Sequence, residues 1–325
     1  MSIILSIIIE KVGEGVVLFM KEFSFIDNEG LEIACYKWEN DSKKIKGVVQ
    51  LVHGMAEHAK RYDYFARKLV ESGFIVYAHD HRGHGNTAKN KEDLGYIADN
   101  EGFELQVKNV KEYHDIIKKE NEDLPMILFG HSMGSFICER FIEKYSEDID
   151  SVILCGSNGK PMQFTKAGVM VSKAQIMVSG RRAKSKLMNT LSFGSFNSAF
   201  KPNRTGFDWL CSDEAEVDKY INDDKCGFIC SASFYYDFIK GLWSIHEKEN
   251  LKAISKELPI FIISGDKDPV GDYGKGVIKL NDTYKEIGIK DVSYKLYKDG
   301  RHEILNEINK DEVINDVITW IERKL

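Results

Sequence analysis

Short apolar runs interleaved with helix-period segments constrain the fold of this 325-residue chain more than any other feature. The runs are Val48–Val52, Phe74–Ala78, Met126–Phe129, Val152–Cys155, Ile260–Ile263 and Val292–Tyr297. Helical periodicity marks 60–72, 102–121, 133–145, 272–287 and 310–324. A strand apolar on both faces must be covered on both, and helices between successive strands provide that cover. The alternation therefore predicts a mostly parallel sheet layered between helices. Upstream, FSFID (23–27) and LEIACYK (31–37) flank Asn28-Glu29-Gly30, a turn-rich connection that adds an antiparallel hairpin at one edge.

The rhythm breaks between Gly156 and Leu258, a span far longer than an ordinary loop and without a convincing core strand. Phe164, Ala167, Val171, Ala174 and Val178 fall on one helical face, opposite Lys166, Lys173 and Gln175. The span is predicted to be a helical cap over the strand ends; a plain core helix is the other reading of that segment. The expected organisation is a leader over 1–22, a core over 23–156 and 251–325, and a cap over 157–250.

The leader holds an apolar run from Ile3 to Ile9, too short for a bilayer, which takes about 20 apolar residues. It lacks the basic region and cleavage site of a signal peptide. An edge strand or a disordered leader is expected, with Met20 as a second candidate start because organised sequence begins at Phe23. The six cysteines do not form a secreted framework, and free thiols suit a reducing cytoplasm. Cys226 and Cys230 lie four apart, but no second Cys or His pair follows at zinc-site spacing, so no metal is expected. A net charge of −6 argues against a broad nucleic-acid surface.

Gly130-His131-Ser132-Met133-Gly134 matches G-x-S-x-G. Alone it is weak, since three specified positions recur by chance in about one chain in nine of this length. Its context makes it strong. MILFG before it reads as a strand and SFICERFIEKY after it as a helix, so Ser132 falls on the strand-to-helix turn that holds such a nucleophile strained and exposed. Glycines two residues either side remove the Cβ atoms that would clash there. A serine hydroxyl needs an adjacent base, and partners follow in the order Ser…Asp…His. His302 stands in Asp299-Gly300-Arg301-His302-Glu303 after the strand VSYKLYK. The loop Ser264-Gly265-Asp266-Lys267-Asp268-Pro269 offers two acids, of which Asp268 is the better held because Pro269 fixes the chain after it. For the oxyanion, backbone N–H donors are expected from Met133 and, in the loop after Val48–Val52, from Met55.

LVHGMAEHAKRY, FIVYAHDHRGHGNT, GHSMG, SGDKDPV and DGRHEILNE together resemble the monoacylglycerol lipase and lysophospholipase-like group of α/β-hydrolases, over roughly 22–325. FDWLCSDEAEVDKYINDDKCGF (207–228) resembles its cap more loosely. The resemblance implies an α/β-hydrolase fold with an eight-stranded sheet, and a helical cap inserted after the sixth strand to form an acyl channel. It implies no cofactor, and a single-chain lipid ester as substrate. It gives Ser132 as nucleophile, His302 as base, Asp268 as acid, and the amides of Met55 and Met133 as the hole. Acyl transfer or aminopeptidase cleavage by the same triad, a silent ligand-binding fold and a metal-dependent hydrolase are the competing readings.

Around this machinery, His53, Arg61, His131, Phe164, Val171 and Val178 are expected to contact substrate. Glu57, His58, Arg61 and Tyr62 are read first as a polar cluster holding the loop, and second as a grip on a glycerol or other head group. His79-Asp80-His81-Arg82-Gly83-His84 lacks the second aspartate of a metallo-hydrolase motif and is read as a structural loop. Arg181, Arg182, Lys184 and Lys186 are read as solvated charge, with peripheral membrane contact through the cap as the sharper alternative.

Overall fold

The computed structural model describes residues 3–12, 16–40, 44–159 and 165–325. Among them, nine strands form one sheet: β1 (Ile3–Val12), β2 (Val16–Ile26), β3 (Glu32–Asn40), β4 (Gly47–Val52), β5 (Phe74–His79), β6 (Met126–His131), β7 (Ser151–Cys155), β8 (Ile260–Gly265) and β9 (Val292–Tyr297), in the order β1-β2-β3-β5-β4-β6-β7-β8-β9. The first three ladders are antiparallel and the remaining five parallel. The eight-stranded, mostly parallel sheet is β2–β9, and β1 adds an outer antiparallel edge. The hairpin strand starts at Val16 rather than Phe23, so a boundary at residue 22 falls inside it. Leu18 and Met20 are buried and pair with Asn40 and Trp38, which draws the strand back into the leader.

β4, β5, β6 and β8 are buried along their whole length. Alternate residues feed two cores, as pleating requires. Val48, Val52, Leu128 and Ile262 pack beneath α2 (Gly102–Glu120), α3 (Met133–Tyr145) and α9 (Lys275–Glu286). Val49, Leu51, Phe129 and Ile263 pack beneath α1 (Asp63–Glu71) and α10 (Lys310–Glu322) on the other face.

Between β7 and β8 lie α4 (Thr165–Ser179), α5 (Lys186–Phe193), α6 (Glu214–Asn222), α7 (Ala232–Ser244) and α8 (Lys248–Ala253). Phe234, Tyr235, Ile239 and Leu242 of α7 belong to the same apolar cluster as α2 and α3, so this segment is welded to the core. Trp209, Leu210, Val217 and Tyr220 form a smaller cluster of their own. Among the described residues no helix is long and apolar enough to cross a membrane.

Candidate active site

Ser132 sits between β6 and α3 with φ 52° and ψ −120°, a backbone state that L side chains rarely adopt. Tertiary contacts hold it there. Its N–H donates to Cys155 O at 2.8 Å, and its carbonyl accepts from Ser135 N at 2.8 Å and Ser135 Oγ at 2.6 Å. The flanking glycines are required by packing: a Cβ on Gly130 would stand 2.4 Å from Gly134 O, and one on Gly134 2.0 Å from Val52 O. Met133 opens α3, so its N–H is among the donors a helix N-terminus leaves unpaired.

The loops after β8 and β9 are clamped together. Asp266 N donates to Tyr297 O at 2.9 Å and Lys267 N to Gly300 O at 2.9 Å. A Cβ on Gly265 would lie 1.9 Å from Gly300 O, so only glycine permits this approach. The clamp brings Asp268 Oδ1 to 3.0 Å from His302 Nδ1, with both side chains buried. Ser264 Oγ donates to Asp268 Oδ2 at 2.9 Å and Val270 N to Oδ1 at 2.8 Å. Asp266 instead accepts the Asp299 N–H at 2.8 Å in an exposed setting.

Burial pushes the Asp268 carboxyl up, but the charge and hydrogen bond of His302, with Ser264 and Val270, outweigh it and hold the pKa below its ordinary value. For His302 burial pushes down, and the adjacent Asp268 carboxylate reverses it, leaving the imidazole above its ordinary value. His131, whose ring centroid is 4.8 Å from that of His302, is driven down to about 4 by burial and by the His302 charge. With Nδ1 committed to a carboxylate, His302 keeps Nε2 for proton transfer.

Ser132, His302, Met55, Met133 and His131 line one cavity of about 520 Å³. Its apolar wall comes from Phe136, Phe193, Phe196, Phe207, Trp209, Phe228, Phe238, Ile239, Leu242 and Val270. Trp209 covers the imidazole at 5.1 Å between ring centroids.

Several residues expected to touch substrate are placed elsewhere. His53 is buried behind the loop: its Nδ1 donates to Gly54 O at 2.8 Å and its Nε2 accepts the His81 N–H at 3.0 Å. Arg61 gives Nη1 to Glu57 at 2.6 Å and grips Glu303 through Nη1 and Nη2 at 2.8 and 2.7 Å, and it does not line the cavity. Glu57 also accepts from Gly54 N at 2.6 Å and Tyr62 Oη at 2.8 Å, as the loop-holding reading of that cluster requires. Val178 is 87 % exposed, and neither it nor Val171 lines the cavity. α4 turns Gly168 and Ser172 inward, where a Cβ on Gly168 would lie 3.0 Å from Ile239 of α7, and half-buried Val171 packs against the main core instead of the cavity. Phe164 lies outside the described residues.

The stretch 79–84 forms no convergent ligand set. Arg82 bonds Asn109 Oδ1 at 2.9 Å and pairs with Asp27, and His84 Nδ1 donates to Arg82 O at 2.9 Å. The sequence pattern did not single out the wall residues of α7, although Tyr235, Phe238, Ile239 and Leu242 recur at helical spacing. Nothing in the sequence signals Trp209 as the cover of His302.

The profile of the hydrolase family described as serine aminopeptidase, S33, matches residues 43–309. The monoacylglycerol lipase of Mycolicibacterium smegmatis is 25% identical over 300 residues, covering 92% of this chain and 96% of that one. A thermostable carboxyl esterase from Bacillus coagulans, solved in complex with glycerol, superposes with a TM-score of 0.86 at 29% identity, over 93% of this chain and 98% of that chain. A soluble variant of monoglyceride lipase from Saccharomyces cerevisiae, in complex with a substrate analog, shares the fold with a TM-score of 0.71 at 20% identity, over 99% and 96%.

Proposed function

The chain belongs to the serine aminopeptidase, S33, family of hydrolases, and from that premise we propose that it hydrolyses carboxylic esters of single-chain lipids, of monoacylglycerol or lysophospholipid type. The observation that carries the reading is the buried Asp268–His302 pair, 3.0 Å apart, opening on the same apolar cavity as Ser132. The names of the relatives support the substrate class.

In this reading Ser132 Oγ attacks the ester carbonyl carbon as His302 Nε2 takes its proton. The carbonyl oxygen becomes an oxyanion facing the amides of Met55 and Met133. Collapse breaks the C–O bond, and His302 returns the proton to the departing alcohol. Water then attacks the acyl-enzyme with His302 as base, releasing the fatty acid and restoring Ser132. Asp268 fixes the imidazole tautomer and stabilises its charged form. Residues 157–250 act as the cap that walls the acyl channel.

The family's description brings an aminopeptidase reading with it. Such an enzyme needs a free carboxylate for the substrate ammonium. The acids lining the cavity, among the described residues, are Glu57 and Glu303, and both are bound by Arg61. An ester suits such a wall better than a charged amine. Purified protein assayed against monoacylglycerols, lysophospholipids and aminoacyl-amides, with fluorophosphonate labelling of Ser132, tests the proposal. Turnover of amides alone, or no adduct on Ser132, overturns it.

The cap also supports peripheral membrane contact: Met170, Met177 and Val178 of α4 and Leu187 and Leu191 of α5 are exposed, with Arg182 and Lys186 nearby in sequence. Co-sedimentation with anionic vesicles, weakened by Met177→Asp with Leu191→Asp, is the expected result; unchanged sedimentation overturns it. A cytoplasmic location is supported by the six free thiols.

A further inference from the structure

His58, Asp223 and Cys226 stand together at the seam between the core and the cap. One ligand atom from each lies within 4.8 Å of the other two. His58 follows the loop that carries Met55. Asp223 and Cys226 occupy a single turn after α6, closed by Cys226 N donating to Asp223 O at 2.9 Å. Two ligands three residues apart on one tight turn, with an imidazole from a separate segment, is the spacing logic of a zinc site.

We propose that His58 Nε2, Asp223 and Cys226 Sγ bind a thiophilic divalent cation of the Zn²⁺ class, stapling the cap to the oxyanion loop. The proposal is independent of the ester substrate. Zn–N, Zn–O and Zn–S bonds of about 2.0–2.3 Å put tetrahedral ligands about 3.3–3.7 Å apart. His58 Nε2 and Asp223 Oδ2 are already 2.8 Å apart, so an ion needs only local side-chain adjustment. Asp223 is partly exposed, which leaves the fourth position open to water. The cations nearby are paired: Arg61 with Glu57 and Glu303, Lys60 with Glu22, and Lys219 and Lys310 with Glu216. Burial pushes the Cys226 thiol up, so metal binding releases a proton there.

The staple acts on the loop that carries Met55 through contacts already in place. Gly227 N donates to Ala56 O at 2.9 Å and Tyr220 Oη to the same carbonyl at 3.0 Å. Ala56 is itself held at φ 55°, next to Met55. A cation beside this junction fixes the cap residues 220–227 against that loop.

The test is a Co²⁺ titration of the reduced, chelator-treated chain, followed by near-ultraviolet thiolate-to-cobalt absorption. One equivalent should give the band, Zn²⁺ should displace it, and Cys226→Ser should abolish it. The other five cysteines are buried, so a band that survives Cys226→Ser, or no band at all, overturns the site. His58→Ala, checked for folding by circular dichroism, guards against a misfolded Cys226→Ser. It should weaken Co²⁺ binding by at least tenfold and remove the rise in Tm that Zn²⁺ gives the native chain; unchanged affinity overturns the proposal.

Discussion

Arg61 and Glu303 meet in a two-pronged ion pair, Nη1 to Oε1 at 2.8 Å and Nη2 to Oε2 at 2.7 Å, which locks the loop bearing Met55 to the loop bearing His302. Glu303 is buried, a condition that raises a carboxyl pKa, yet the Arg61 charge drives it down to about 2. A buried pair of this kind is costly to break from one side, because the remaining charge is left without a partner.

Arg61→Met should therefore destabilise the chain by about 3–5 kcal/mol, with a loss of kcat as the two loops lose register. Urea denaturation and steady-state kinetics check this. A raised KM with native stability and kcat would return Arg61 to substrate binding.

Ser132→Ala and His302→Ala should each lower kcat by roughly 10³-fold or more, because nucleophile and base act as a unit. Circular dichroism should show an intact fold. Near-native esterase activity in both would defeat the catalytic assignment.

Asp268→Asn should cost roughly 10⁴-fold in kcat by favouring the wrong imidazole tautomer. Asp266→Asn should be far milder, since Asp266 accepts the Asp299 N–H and does not reach the ring. The opposite ranking in parallel assays would reassign the acid.

The pH dependence follows from the two shifted groups. His302 must be neutral to accept a proton, and its pKa lies above the ordinary 6.5, so kcat/KM should fall as pH drops through a value above 6.5. For stability, the raised His302 contributes fully below 6.5 and loses its contribution as pH rises through its folded value. Asp268, held below 3.8, contributes above 3.8 and loses its contribution as pH falls through its lower folded value. A kcat/KM profile whose acid limb sits below 6.5 would contradict the Asp268–His302 coupling.

Acyl-chain selectivity should track the α7 wall. Each buried CH₂ is worth about 0.8 kcal/mol, so kcat/KM should climb with chain length until the cavity is full, and triacylglycerol should be a poor substrate. Leu242→Trp should move the optimum to shorter chains. A series from acetyl to long-chain esters with equal turnover would refute the channel while leaving the triad in place.

The layered sheet and the turn at Ser132 were legible in the sequence because both are written in local signals. Val48–Val52 and Met126–Phe129 read as strands because they are apolar on both faces, and Gly130 and Gly134 flag the turn because bulkier residues would collide there. Chain order then narrowed the partners to His302 and two aspartates, but both lie within three residues of the same strand end, so composition could only rank them. The clamp between the β8 and β9 loops is what turns Asp268 to the imidazole and Asp266 to Asp299. Hydrophobic period misdirected the choice of α4's inner face for a related reason: it ranks faces by apolarity, whereas beside half-buried Val171 the helix turns in the small Gly168 and Ser172 and leaves Val178 in solvent. A head-group grip stayed open for Arg61 beside the loop-holding role because the sequence shows a charge but not its partner 242 residues away. The meeting of His58 with Asp223, 165 residues apart, was likewise beyond sequence spacing. Local sterics and burial preference act over a few residues and survive in the sequence. Which side chain satisfies which buried group is settled only when distant segments compete for the same small volume.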